Sequence, residues 1–260
     1  MAGYQYHIGF ITDCGNVRTQ NQDSILIKKG RVGSEEFVMA AVADGMGGME
    51  SGELASRSIV AYLEGWWTKT LPCLMKERVS LEDIGDSLSY LIEDGNRHIR
   101  ELAGKRGIKT GTTLSLVFLM ENRFVLRHIG DSRIYLMENR RVRQLTKDHT
   151  WCQNEVDQGR MTQEESESHA MRHVLINALG GRDEVAIECL AGGLNSRAQL
   201  LLCSDGFYNY MPADSLAAFL CGKKTAQDRL NRAYEHIKET RADDNFSAVL
   251  IQTLKKGWLL

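Results

Sequence analysis

The sequence predicts an α+β sandwich, two antiparallel sheets packed face to face with helices outside each, and three observations predict it. Short β-type segments follow one another across gaps of two or three residues, such as Glu121-Asn122 and Glu138-Asn139-Arg140. Gaps that short join only antiparallel neighbours, because a parallel crossover needs roughly a dozen residues or more. Amphipathic helical stretches interrupt the strands in two separate regions, so helices have more than one sheet face to cover. With two prolines and no Gly/Ser-rich or charged linker, the 260-residue chain reads as one continuous domain over 1–260.

In chain order, strand patterns occupy residues 6–12 and 24–28, and a strongly apolar one occupies 37–43. Helical spacing follows. Leu54, Ala55, Ile59, Ala61, Tyr62 and Trp66 mark a helix over 51–69, and Ile84, Leu88, Leu91, Ile92 and Ile99 mark another over 81–102. The middle turns to β at 112–120, 123–129, 133–137 and 142–145. Residues 148–173 are polar and weakly helical, an insertion rather than core. Strands at 185–190 and 199–203, helices at 212–220 and 225–240, and a last strand at 246–253 complete the series.

Composition narrows the function classes. With 43% apolar and 25% charged residues the chain is an ordinary globular protein, neither disordered nor fibrous. A formal charge of −2 offers no broad electropositive surface, which argues against a nucleic-acid partner. No basic segment followed by an apolar stretch opens the chain, so no secretory leader is expected. Apolar runs such as 114–120 fall short of the ~20 residues that span a bilayer, so no membrane span is expected and the cytoplasm is the expected location. The six cysteines are scattered without a Cys-x-x-Cys pair, which gives no zinc pattern and leaves most of them expected as buried small apolar residues.

Chemistry is signalled by aspartates at the edges of apolar β segments. Asp23 opens Ser-Ile-Leu-Ile. Asp44 closes an apolar run and precedes Gly45-Met46-Gly47-Gly48, Asp205 closes Leu-Leu-Cys-Ser and precedes Gly206, and Asp244 stands just before the last strand. Each alone is an ordinary turn signal. Gathered together, the carboxylates would repel one another and rise in pKa unless cations held them, so a cluster implies a metal site. Oxygen ligands suit magnesium or manganese, and Gly45, lacking a Cβ, allows its carbonyl to approach an ion. Two ions ~3.5–4 Å apart can share a water and lower its pKa toward neutrality. Phosphate esters suit such a site, and Arg18 offers a planar fork of donors to orient the dianion.

The ordered motifs resemble the metal-dependent type 2C serine/threonine protein phosphatases, the PPM family, in its bacterial form. They are Asp13-Cys14-Gly15-Asn16-Val17-Arg18 with Asn21-Gln22-Asp23, then Val42-Ala43-Asp44-Gly45-Met46-Gly47-Gly48, then Gly111-Thr112-Thr113. Gly130-Asp131-Ser132-Arg133, Leu145-Thr146-Lys147-Asp148-His149, Cys203-Ser204-Asp205-Gly206 and Asp244-Asn245 follow. The resemblance implies a four-layer α-β-β-α sandwich with a dinuclear Mn2+ or Mg2+ site at one end and a mobile flap at about 148–176. It implies Asp44 bridging both ions, the Gly45 carbonyl on one, Asp23, Asp205 and Asp244 as further ligands, Arg18 on the phosphate, and Asp131 on a weaker third ion. The implied activity is hydrolysis of phosphoserine and phosphothreonine on proteins by a water or hydroxide bridging the two ions. Partners would be phosphoproteins made by a cognate serine/threonine kinase, and the family default is a monomer. The contrasting reading is a non-catalytic pseudophosphatase that binds phosphoproteins or serves as a scaffold; the four aspartates and Arg18, all present, argue against it.

Three positions depart from the family pattern. Gln22 replaces a carboxylate before Asp23, Met46 replaces a histidine proposed as general acid in eukaryotic relatives, and Asn209 replaces an aspartate that helps bind the third ion. A thioether donates no proton, and a neutral amide predicts a weak third site. His169 and His173, four residues apart, are expected on a solvated flap surface rather than as a metal pair on one helix face, and His128 and His149 are expected to make structural hydrogen bonds. The acidic run Glu164, Glu165, Glu167 reads as a wet helix face, and Trp66, Trp67, Trp151 and Trp258 read as packing residues.

Overall fold

The computed structural model describes residues 3–47, 51–211, 213–221 and 224–255, so Gly48, Pro212 and Trp258 lie outside the described residues. Strands β1 (Tyr4–Asp13), β2 (Ser24–Val32), β3 (Glu35–Ala43) and β4 (Gly45–Gly47) lead into helices α1 (Ser51–Lys69), α2 (Leu71–Glu77) and α3 (Leu81–Arg106). Strands β5 (Thr110–Thr112), β6 (Leu114–Met120), β7 (Arg123–Ile129), β8 (Arg133–Glu138) and β9 (Arg141–Gln144) follow. The insertion contributes α4 (Trp151–Asp157) and α5 (Gln163–Ser168). Last come β10 (Glu188–Gly193), β11 (Gln199–Cys203), α6 (Asp205–Tyr208), α7 (Ala213–Leu220), α8 (Ala226–Lys238) and β12 (Phe246–Lys255).

Two five-stranded sheets result, ordered β1-β12-β11-β8-β9 and β10-β7-β6-β3-β2, with neighbouring strands antiparallel throughout both. The apolar run in β3 is continuous because both of its faces are covered. Val38, Ala40 and Val42 meet the other sheet, in one core with Leu200, Leu202, Val249 and Ile251. Met39, Ala41 and Ala43 meet Ile59, Leu63, Ile84 and Leu88 of α1 and α3. A third core joins the outer face of the other sheet to α6, α7 and α8 through Leu201, Phe207, Leu230 and Ile237. These are the four layers that the antiparallel gaps and separated helical stretches predicted.

The differences from sequence have local causes. A capping box between Ser80 and Asp83 opens α3, and Gly107 in the left-handed conformation at φ 63° closes it after Arg106, four residues beyond the predicted end at 102. Helix α2 is seven residues long, too short to show a period. β10 starts at Glu188 rather than residue 185 because the Asn177 amide engages both main-chain groups of Ala186, at 2.7 and 3.3 Å. Burial of the cysteines differs from expectation. Cys152 and Cys203 are buried, but Cys73 and Cys189 are exposed, on the short α2 and the sheet-edge strand β10.

Candidate metal centre

Antiparallel register decides where the aspartates go. Ser24 stands opposite Ala43, so Asp23 before β2 and Asp44 after β3 emerge at the same end of their sheet. Cys203 stands opposite Ala248, which brings out Asp205 and Asp244 together from the other sheet. Val42 faces Ser115 and Leu114 faces Ile129, so Asp131, just past β7, reaches the same end. A direct bond ties the two sheets there: Ser204 Oγ donates to Asp23 Oδ2 at 2.8 Å.

The cluster is electrostatically tense. Asp23 is 7% exposed and its Oδ1 has no hydrogen-bond partner. Burial, with the charges of Asp205 and Asp244, pushes its carboxyl up to about 7, although hydrogen bonds from Ser247 and Ser204 pull the other way. Burial also lifts Asp44 well above the carboxylate range, helped by Asp23, Asp205, Asp131 and Asp244. Asp131 rises for the same first reason, then through Asp205 and Asp148, with Arg133 opposing. A buried carboxylate oxygen without a donor is unfavourable, and a divalent cation is the partner that relieves it among so many like charges. The donors are all oxygens, which fits manganese or magnesium.

Neighbouring residues fix these carboxylates. The Asp44 N–H donates to Thr113 Oγ1 at 2.9 Å, and its carbonyl accepts from Thr112 Oγ1 and the Thr113 N–H, both at 2.9 Å. The Gly-Thr-Thr motif therefore acts by holding the Asp44 main chain. Gly45 has to be glycine, since a Cβ there would lie 2.2 Å from the Gly52 carbonyl oxygen at the start of α1. Arg18 reaches across to Asp244, and Asn245 laces the Arg18 loop together. The Asn245 amide donates to Cys14 O at 3.1 Å and Gln20 O at 2.9 Å, and accepts from Gln22 N–H at 2.8 Å.

Among the histidines, His128 is buried, with Nδ1 3.0 Å from Ser115 Oγ and Nε2 3.0 Å from Gly130 O. Burial pushes it down to about 3, so it stays neutral. His149 Nδ1 accepts from Gly130 N–H at 3.1 Å and from Asn177 at 2.9 Å. Both are satisfied structurally, as expected. His169 and His173 are not on one helix, because α5 ends at Ser168. His169 stacks near Trp151, ring centroids 5.2 Å apart, whereas His173 Nδ1 comes within 3.6 Å of Asp205 Oδ2. His173 is exposed, with 45% of its side chain accessible, as a flap surface residue would be, and Asp131, His173 and Asp205 each present a ligand atom within 4.8 Å of the others. Ser204 and Asn245 lie inside the sequence motifs and His173 stands four residues from His169, but no local pattern shows what any of them meets, since their partners lie far away in the chain.

Residues 14–254 match the family model described as protein phosphatase 2C. The serine/threonine phosphatase stp of Listeria monocytogenes serotype 4b (strain F2365) is 28% identical over 253 residues, covering 95% of each chain. The solved serine/threonine phosphatase of S. agalactiae is similar with a TM-score of 0.86 at 29% identity, covering 95% of this chain and 99% of that one. The catalytic domain of the serine/threonine phosphatase PstP, in complex with two manganese ions, gives 0.80 at 28% identity, covering 97% of this chain and 100% of that one. The chain belongs to the protein phosphatase 2C family. It is a metal-dependent protein serine/threonine phosphatase whose cofactors are two manganese or magnesium ions; the pseudophosphatase reading is not favoured. Among the described residues no helix is long and apolar enough to cross a membrane.

Proposed function

We propose that Asp23, Asp44, Asp205 and Asp244, with the Gly45 carbonyl, hold the two ions, Asp44 serving both, and that Arg18 grips the substrate phosphate. The observation that carries this reading is the unpartnered Asp23 Oδ1, buried where the carboxylates of Asp205 and Asp244 add their charge. When bound, the ions acidify a water and so supply a nucleophile at neutral pH. The planar guanidinium of Arg18 matches two phosphate oxygens at once, and with 55% of its side chain exposed it is open to an incoming phosphopeptide. Met46 has no proton to give, so the leaving alkoxide takes its proton from solvent. Asp131 adds a weaker third ion, because Asn209 is neutral.

The substrates on this reading are phosphoproteins produced by a cognate serine/threonine kinase, since a signalling phosphoester has to be made before it is cleaved. The chain acts as a cytoplasmic monomer, one domain over 1–260, with 148–176 as a flap beside the cleft. The test is phosphate release from a phosphothreonine peptide with manganese, with a chelator, and with Asp44→Asn. Turnover should need metal and vanish in the variant; turnover indifferent to the chelator would reject the mechanism.

A further inference from the structure

We propose that His173, on the flap, is a ligand to the third divalent ion, completing a site with Asp131 and Asp205 and pinning the flap to the core. This rests on the dinuclear reading above and adds to it a nitrogen donor from a segment that sequence treats as surface. The His173 Nδ1 to Asp205 Oδ2 separation of 3.6 Å is too long for a hydrogen bond. It suits two donors on one ion: with metal–ligand distances of ~2.0–2.2 Å, neighbouring ligands stand ~3 Å apart and opposite ones ~4.4 Å. All three ligand atoms fall within 4.8 Å of one another.

Main-chain bonds put the imidazole there. The Trp151 N–H donates to Val174 O at 2.8 Å, and the Ile176 N–H donates to His149 O at 2.9 Å, so the chain just after His173 is paired to the start of the insertion. Asp131 is 5% exposed, and its charge together with that of Asp205 is balanced by one divalent cation with a neutral imidazole. The histidine thus stands in for the carboxylate that Asn209 lacks. A mixed nitrogen and oxygen set favours manganese, cobalt or zinc over magnesium. An ion held this way would also fix one wall of the adjoining cavity, of about 560 Å3, which Arg133, Asp148, Arg172, His173 and Tyr208 line.

The probes are Mn2+ and Co2+, titrated into metal-free wild type, His173→Ala and His173→Gln. Wild type should take up two ions tightly and a third more weakly. Both variants should keep the two tight events and weaken the third at least about tenfold, the loss typical even of an outer partner of a metal ligand. Hydrogen exchange across 169–176 should slow on Mn2+ addition in wild type and not in the variants. Co2+ should produce a hyperfine-shifted imidazole N–H signal that His173→Ala removes. A third binding event of wild-type strength in both variants, or a wild type that binds two ions and no third, overturns the proposal and leaves the dinuclear reading standing. A wild type that binds no ion overturns both, so the two failures are distinguishable.

Discussion

Arg18 lies side-on against Asp244, with Nε 3.1 Å from Oδ1 and Nη2 3.1 Å from Oδ2. The fork of Nε and Nη2 thus meets a residue proposed to hold the metals, on the same guanidinium that is proposed to grip the phosphate. Both side chains are about half exposed, so the pair adds under ~1 kcal/mol to stability. Arg18→Lys keeps the charge but loses the fork. Steady-state kinetics on a phosphothreonine peptide should show KM rising about tenfold, the loss of ~1.4 kcal/mol of phosphate binding, while urea unfolding barely moves. An unchanged KM would remove Arg18 from phosphate binding.

Asn245 makes three hydrogen bonds from a position 6% exposed. Asn245→Ala strands two carbonyls and one N–H, so a loss of about 2–4 kcal/mol is expected in chemical denaturation. Because the laced loop carries Arg18, KM should suffer more than kcat. A fall in kcat alone would mean that the loop does not position the arginine.

Ser204 orients Asp23 through a single bond. Ser204→Ala leaves the proposed ligand Asp23 in place but unoriented, and outer partners of this kind are worth about 10–100-fold in metal affinity. Manganese titration followed by activity recovery should show that shift, with full activity regained at saturating metal. Affinity equal to wild type would show that Asp23 is held by its other contacts.

Protons and metal compete for Asp23. Its folded pKa of about 7 exceeds the unfolded 3.8, so in chelator this group stabilises fully below pH 3.8 and the contribution disappears as pH climbs through 7. At ~1.36 kcal/mol per unit the swing reaches roughly 4 kcal/mol. His128 acts with the opposite sign: its folded value of about 3 lies below 6.5, so its contribution is present above 6.5 and lost as pH falls toward 3. That histidine acts alike with and without metal, so it cancels from the difference in Tm between manganese-loaded and chelated protein, which reads the metal ligands. This difference should widen from about pH 6 to about pH 8, because ions bind only the deprotonated form. A difference independent of pH would contradict the carboxylate cluster.

The long elements were legible because they repeat. Helix α1 is readable over about 51–69 from its apolar stripe, and β3 from its unbroken apolar run. Helix α6 and strands β4 and β5, at three or four residues, contain less than one useful period, so their tertiary surroundings define them. The aspartates were readable because a carboxylate at the end of an apolar strand breaks the local pattern. Ser204 and Asn245 stand inside motifs and His173 four residues from His169, but what each of them meets is not readable from its neighbours. Asn245 finds Gln22 from 223 residues away, and His173 matters only because the insertion turns back over Asp205.

The bond between Asp23 and Ser204 closes a gap of 181 residues and crosses from one sheet to the other. Contacts so remote in the chain form late, since loop-closure entropy has to be overcome before they contribute. Either half of the chain, collapsed alone, offers only part of the ligand set. Uptake of manganese during refolding would therefore lag behind the appearance of β structure, making ion binding a clock for the docking of the two halves.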